Sequence, residues 1–82
     1  MRLNTASGIS LHYTVKRKIN VLCGVFDLCG YKVDSVRVDG PESERQVRIE
    51  FEGSEPAYMF PYEELDAVVQ SVRENYEEHK NG

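Results

Sequence analysis

The sequence is poor in the residues that build metal and redox sites: its 82 positions include two cysteines, two histidines and no tryptophan. Cys23 and Cys29 fall in one predicted helix, where six residues separate them by about 9 Å along the axis, too far for a disulfide. The histidines, His12 and His79, lie near opposite ends of the chain. We therefore predict buried structural thiols, no metal site and no cofactor.

Long apolar runs are also missing. No stretch approaches the roughly 18 to 20 apolar residues that a membrane span needs, and the opening MRLNTASG lacks the apolar core of a signal peptide. We expect no membrane association and a cytoplasmic location. With 40% hydrophobic and 29% charged residues, the chain has the composition of a globular protein, and we expect residues 1–82 to form a single domain.

Catalytic groupings are not recognisable. Carboxylates are plentiful, but they occupy exposed positions, and no Ser/His/Asp or Cys/His set has a suggestive spacing. The basic cluster KRK at 16–18 lacks interleaved aromatics. We therefore expect neither an enzyme nor direct nucleic-acid binding.

Charge is unevenly distributed along the chain. Residues 1–38 hold six Lys/Arg and two Asp/Glu, for a net charge of +4, whereas residues 39–82 hold four and twelve, for −8. Either the two halves attract each other within the fold, or they present two surfaces to different partners.

The first predicted helix lies in VKRKINVLCGVFDLCG. Its apolar residues recur every three or four positions, and Gly30 followed by Tyr31 is typical of a helix end. The start is open, because residues 9–15, ISLHYTV, alternate like a strand, whereas Ser10 could cap a helix beginning at Leu11. The apolar positions are Val15, Ile19, Leu22, Phe26 and Cys29.

Three strands are predicted after this helix. In YKVDSVRVDG the phase of the valines slips between Val33 and Val36, which indicates a bulge or an irregular edge. QVRIEFEG alternates cleanly between apolar and charged residues, and AYMF forms a short aromatic strand. Pro61 suits the first position of the final helix.

The order of elements predicts a small two-layer α+β domain. A three-stranded antiparallel meander is flanked by two helices, in the order α-β-β-β-α, and an additional N-terminal strand stays open as an alternative. Both helices are expected to pack on one face of the sheet, which leaves the other face in contact with water.

The final helix carries a predicted acidic face. At 100° per residue its carboxylates fall opposite the apolar positions, and Glu74 and Glu78 form a like-charge pair at i, i+4. Strand carboxylates are added to this face because they alternate away from Val47 and Ile49. The candidate partner-binding residues are Glu50, Glu52, Glu63, Asp66, Glu74, Glu77 and Glu78. They serve solubility alone or occupy a basic groove on a partner.

The first helix has a second apolar face, formed by Val21, Val25 and Leu28, on nearly the opposite side from the first. Either a neighbouring segment such as residues 1–14 covers this face, or it meets a partner or a second copy of the chain. Gly24 lies near its edge, where it either lets another backbone approach or is a tolerated weakness that costs about 1 kcal/mol.

The acidic segments ERQVRIEFEGSEP and YEELDAVVQSVRENYEEHK, in a chain with this element order, resemble small phage-encoded inhibitors, notably certain anti-CRISPR proteins. The resemblance implies a DNA-like charge surface that blocks the basic channel of a nuclease complex. The sequence thus predicts a non-enzymatic binding protein that inhibits a larger protein or nucleoprotein complex with a basic groove. The alternative is a small homo-oligomeric structural or regulatory domain joined through the second apolar face.

Overall fold

Six helices and strands make up the fold in the computed structural model, which describes residues 2–5 and 9–81, with side chains for residues 3–5 and 9–78. Two short 3₁₀ turns, Glu42–Glu44 and Tyr62–Glu64, connect strands and helix. The elements are β1 (Arg2–Thr5), α1 (Tyr13–Leu28), β2 (Val33–Asp39), β3 (Gln46–Phe51), β4 (Tyr58–Pro61) and α2 (Leu65–Asn81).

The four strands form one sheet in the order β1-β2-β3-β4. The strands β2, β3 and β4 are an antiparallel meander, as predicted, and α1 crosses over so that β1 pairs in parallel with β2. The predicted α-β-β-β-α order is therefore confirmed, with an extra N-terminal strand. Because this strand is parallel, the sheet is mixed.

The extra strand does not come from the segment that the alternation pointed to. Residues 9–12 lead into α1, with Leu11 buried in the core, and the strand is formed by Arg2–Thr5. The helix begins at Tyr13, where the backbone N–H of Thr14 donates to Nδ1 of His12 at 3.2 Å. His12 therefore caps the helix, and neither the strand at 9–15 nor the cap at Ser10 is correct.

The end of α1 has the predicted form. Gly30 takes a φ of 92°, a left-handed conformation that costs glycine little. The N–H of Tyr31 donates to the carbonyl oxygen of Phe26 at 2.9 Å, and the N–H of Gly30 donates to that of Asp27 at 3.0 Å. This pair of bonds is the Schellman motif, with Phe26 and Tyr31 as its apolar contact.

Strand alternation divides the sheet into a buried and an open face. Val36, Val38, Val47 and Ile49 are fully buried, whereas Arg48 between the last two is exposed. The predicted break in the strand pattern is present, since the register of β2 against β3 shifts between Val33 and Ser35. The face that carries Arg48 stays in contact with water, as expected.

The core lies between the sheet and the helices. Phe26 anchors an aromatic cluster at one end of it, with ring centroids 5.3 Å from Phe51 and 5.8 Å from Tyr58. Apolar burial of this kind supplies most of the stabilisation of a small domain. The buried apolar residues are Leu11, Ile19, Leu22, Cys23, Val36, Val38, Val47, Ile49, Phe60 and Leu65.

Helix α2 runs beside α1 and in the same direction. Lys18 of α1 contacts Asp66 near the start of α2, and Phe26, further along α1, lines a cleft with Val72 and Tyr76 of α2. The α-helix begins four residues later than predicted, because Pro61 ends β4 and the 3₁₀ turn Tyr62–Glu64 intervenes.

Candidate functional site

The carboxylates of α2 lie along a groove at the seam with α1. The groove has a volume of about 780 Å³, and it runs along the side of α2 that points away from the sheet. Its lining holds four carboxylates and two cations, so its formal charge is −2. The lining residues are Lys18, Asp66, Val69, Gln70, Arg73, Glu74, Glu77 and Glu78.

Asp66 is engaged within the fold. Its Oδ1 lies 2.7 Å from Nζ of Lys18, in an ion pair whose two side chains both remain exposed to solvent. An exposed pair of this kind contributes about 0.2 to 1 kcal/mol. The basic first half and the acidic second half of the chain therefore attract each other between α1 and α2, and among the described side chains Arg37 and Asp39 of β2 form a longer pair across the same division, at 4.0 Å.

The carboxylates further along α2 are less engaged. Glu74 accepts a hydrogen bond from Nε2 of Gln70 at 3.1 Å, which leaves its charge in place. Among the described side chains, Glu74, Glu77 and Glu78 form no ion pair within 4.0 Å, although Arg73 and Glu77 carry opposite charges at i, i+4. Within α2, the carboxylates that form no ion pair with a described side chain therefore lie in the C-terminal half of the helix.

The strand carboxylates are not part of this groove. Val47 and Ile49 face the helices, and side chains alternate along a strand. Glu50, which follows Ile49, therefore faces the open side of the sheet, where it pairs with Arg48 at 3.0 Å. Glu52 follows the end of β3, and its backbone N–H donates to the carbonyl oxygen of Lys32. The structure therefore places Glu50 and the carboxylates of α2 on opposite layers.

Glu63 belongs to a third location. It lies in the 3₁₀ turn before α2 and lines a separate cleft with Glu42, Glu44 and Arg45. Nε of Arg45 is buried there without a hydrogen-bond partner among the described residues. A helical wheel that starts at Pro61 treats Glu63 as part of α2, whereas Glu63 lies in the 3₁₀ turn before that helix.

The seam also has a basic section nearer the start of α1. Arg17, Lys18 and Arg73 line a cleft there, together with Val21 and Val69. Arg17 is held on the ring of Tyr13, with its guanidinium carbon 5.6 Å from the ring centroid and Nη1 3.3 Å from the hydroxyl oxygen. Sequence reasoning missed this pair because it left the start of α1 open.

The second apolar face of α1 is only partly covered. Val25 is half-buried, whereas Val21 is 44% and Leu28 66% exposed. The segment expected to cover this face does not do so in its described part, because residues 2–5 form the edge strand β1. Helix α2 borders the face instead, through the cleft that Val21 shares with Val69.

The two thiols of α1 occupy different environments. Cys23 is buried in the core, and this burial raises the pKa of its thiol to about 11, whereas Cys29 is exposed; neither forms a disulfide. A thiol with a raised pKa is a poor nucleophile at neutral pH. Within the described residues no three His, Cys, Asp or Glu side chains are grouped to hold a metal ion.

Comparisons of this chain with protein-family models, curated protein sequences and solved structures found no match. No helix in the described part of the chain is both long and apolar enough to cross a bilayer.

Proposed function

We propose that this protein is a non-enzymatic binding protein that docks the C-terminal half of α2 into a basic groove of a larger partner. The observation that carries the proposal is the set Glu74, Glu77 and Glu78, which share one exposed side of the helix and form no ion pair with described side chains. A helix gains a few tenths of a kcal/mol from each i, i+4 ion pair, and Glu74 with Glu78 gives the opposite effect.

The spacing of these charges suits a groove built for nucleic acid. Glu74, Glu77 and Glu78 span a helix rise of about 6 Å, so they follow one another at about 3 Å on average, compared with one phosphate per 3.4 Å along a DNA strand, whereas Asp66 lies about 12 Å before them. Asp66 is paired with Lys18, so the mimicry is strongest at the three glutamates beyond it. The favoured partner is therefore a nucleic-acid-handling complex, which docking of α2 would inhibit.

Glu50 and Glu52 contribute little to this docking, since they lie away from the groove and Glu50 is paired with Arg48. The experiment uses this separation. Partners are first captured from the native host on the immobilised protein, and the affinity and association rate of a purified partner are then measured at several salt concentrations.

The deciding variant is Glu74→Gln, Glu77→Gln, Glu78→Gln, which keeps side-chain shape. We expect weaker binding, slower association and a flatter salt dependence, because complementary charge acts mainly on encounter. The matched control, Glu42→Gln, Glu44→Gln, Glu55→Gln, removes the same charge elsewhere and is expected to bind nearly as the parent does. Equal losses in both variants would mean that only net charge matters, and no loss in the first would mean that the helix face is merely solvated.

A competition experiment tests the class of partner. If the groove on the partner handles nucleic acid, duplex or single-stranded DNA or RNA will displace the protein from it. If a partner binds through the three glutamates but no nucleic acid displaces the protein from it, the docking surface stands and the inhibitory role is refuted.

A further inference from the structure

The side of α1 that points away from the sheet carries an exposed row of residues along its whole length. Three of the six large apolar residues exposed in the described chain lie in this row. They are Tyr13, Val21 and Leu28, which are 64%, 44% and 66% exposed. At 100° per residue the row fits within about 80° of the helix circumference. We define the outer row of α1 as Tyr13, Arg17, Val21, Gly24 and Leu28.

The spacing of the outer row is that of a helix-pairing seam. Its members follow one another at intervals of four, four, three and four residues, the alternation found where two helices pack side by side. At Gly24 no atom beyond its chain neighbours and the adjacent backbone of its own helix lies within 4 Å of the place where a Cβ would stand, so the backbone is open to close approach. Arg17 covers Tyr13 with its side chain and adds apolar stem to the row.

We propose that the outer row binds a second copy of this chain, with the two α1 helices antiparallel about a twofold axis at Val21. This pairing places Tyr13 of one copy against Leu28 of the other, and Arg17 against Gly24, in both directions, as a twofold interface requires. The proposal does not rest on docking of the acidic helix to a partner.

Charge complementarity selects a second copy in this antiparallel arrangement. Lys16 and Asp27 are eleven residues apart, about three helical turns, so both lie on the same flank of the outer row and near opposite ends of it. Neither forms an ion pair with a described side chain. A twofold axis at Val21 brings Lys16 of each copy beside Asp27 of the other, and it also sets the positive N-terminal end of each helix near the negative C-terminal end of its neighbour.

Two of the three glutamates proposed for docking, Glu77 and Glu78, lie past the end of this contact, and Glu74 lies level with Phe26. Because Lys18 pairs with Asp66, these two residues lie at about the same height along the parallel helices. Counted from this pair, Glu77 and Glu78 lie beyond the height of Leu28. Pairing of α1 and docking of α2 can therefore succeed or fail separately.

The experiment measures the mass of the full chain by sedimentation equilibrium and light scattering, from about 5 µM to about 1 mM. We expect the mass to rise with concentration from 9.4 kDa toward twice that value. Val21→Glu and, as a second variant, Leu28→Glu should fold and stay monomeric, because both positions are exposed. Met59→Glu is the matched control, since Met59 is 54% exposed on the open face of the sheet, and it should self-associate as the parent does.

Charge reversal tests the arrangement itself. Lys16→Glu and Asp27→Lys should each weaken self-association between about twofold and tenfold, since each dimer loses two pairs, and the double variant should regain the parent affinity within about twofold. A chain that stays monomeric to about 1 mM overturns the proposal. So does association that Val21→Glu and Leu28→Glu leave intact, or a double variant that is as weak as its single parents.

Discussion

The two helices share one layer and one direction, but they are held in different ways. Helix α1 buries Ile19, Leu22 and Cys23 almost completely, whereas α2 buries Leu65 at its start and leaves Val69 and Val72 half exposed. The comparison teaches that α1 is fixed by full burial against the sheet, while α2 is fully buried only at Leu65 and packs Val69 and Val72 against the core at half exposure. Because the described residues of α2 after Leu65 are half-buried or exposed, most of the surface of this helix can carry charged side chains.

The largest expected effect on the free energy of unfolding tests the difference in burial between the two helices. Leu22→Ala removes a side chain that is 1% exposed and leaves a cavity, so we expect a loss of about 2 to 5 kcal/mol in the free energy of unfolding. Val72→Ala, on the half-exposed side of α2, should cost about 1 kcal/mol or less. Urea unfolding followed by circular dichroism measures both, and similar losses for the two variants would contradict the comparison.

A smaller effect concerns the buried thiol of α1. Because burial raises the pKa of Cys23 from 9.0 to about 11, the unfolded chain loses this proton at a lower pH than the folded one. The unfolded state then binds fewer protons, so stability falls as the pH rises from 9 toward 11 and is unaffected by this group below pH 9.

The measurement compares the parent with Cys23→Ala in urea at pH 8, 9, 10 and 10.5. Cys23→Ala should have a lower free energy of unfolding than the parent at pH 8, and the difference between the two should shrink above pH 9. The other ionisable residues are the same in both chains, so they cancel from this difference. A deficit that stays constant to pH 10.5 would show that the thiol is not shielded from water.

The smallest effect is expected at the contact that joins the helices by charge. A double-mutant cycle with Lys18→Met and Asp66→Asn should give a coupling of about 0.2 to 1 kcal/mol that largely disappears in 1 M salt, because both side chains are exposed. The cycle uses urea midpoints at low and high salt. A coupling well above this range would mean that charge, not the burial of Leu65, holds α2 in place.

Much of the fold could be predicted because the local pattern of each element is strong. The alternation through Val47 and Ile49, the glycine at 30 and the slip after Val33 each have one ready structural meaning, and each was found as predicted. The sequence pattern does not locate strand β1, because Arg2–Thr5 offers a single apolar residue, Leu3, and its pairing with Val36 depends on distant contacts.

The candidate site was predictable only in part. A helical wheel gave the outward carboxylates of α2, but it treats Asp66 as free, since the nearness of Lys18 arises from packing. Glu50 was grouped with them although its alternation with Ile49 already directs it to the opposite side of the sheet from the helices. The pattern of an element shows which side is polar, and the layer arrangement decides which polar sides meet.

The parallel pairing of β1 has a consequence for the order of folding. Val38 and Val47 are nine residues apart and Val47 and Phe60 thirteen, whereas Leu3 reaches Val36 across thirty-three. Closing the longer loop costs about 1 kcal/mol more in chain entropy than closing the hairpin of β2 and β3, and β1 returns few buried contacts for it. We expect the meander and α1 to assemble first, so that the strand nearest the start of the chain is the last to join the sheet.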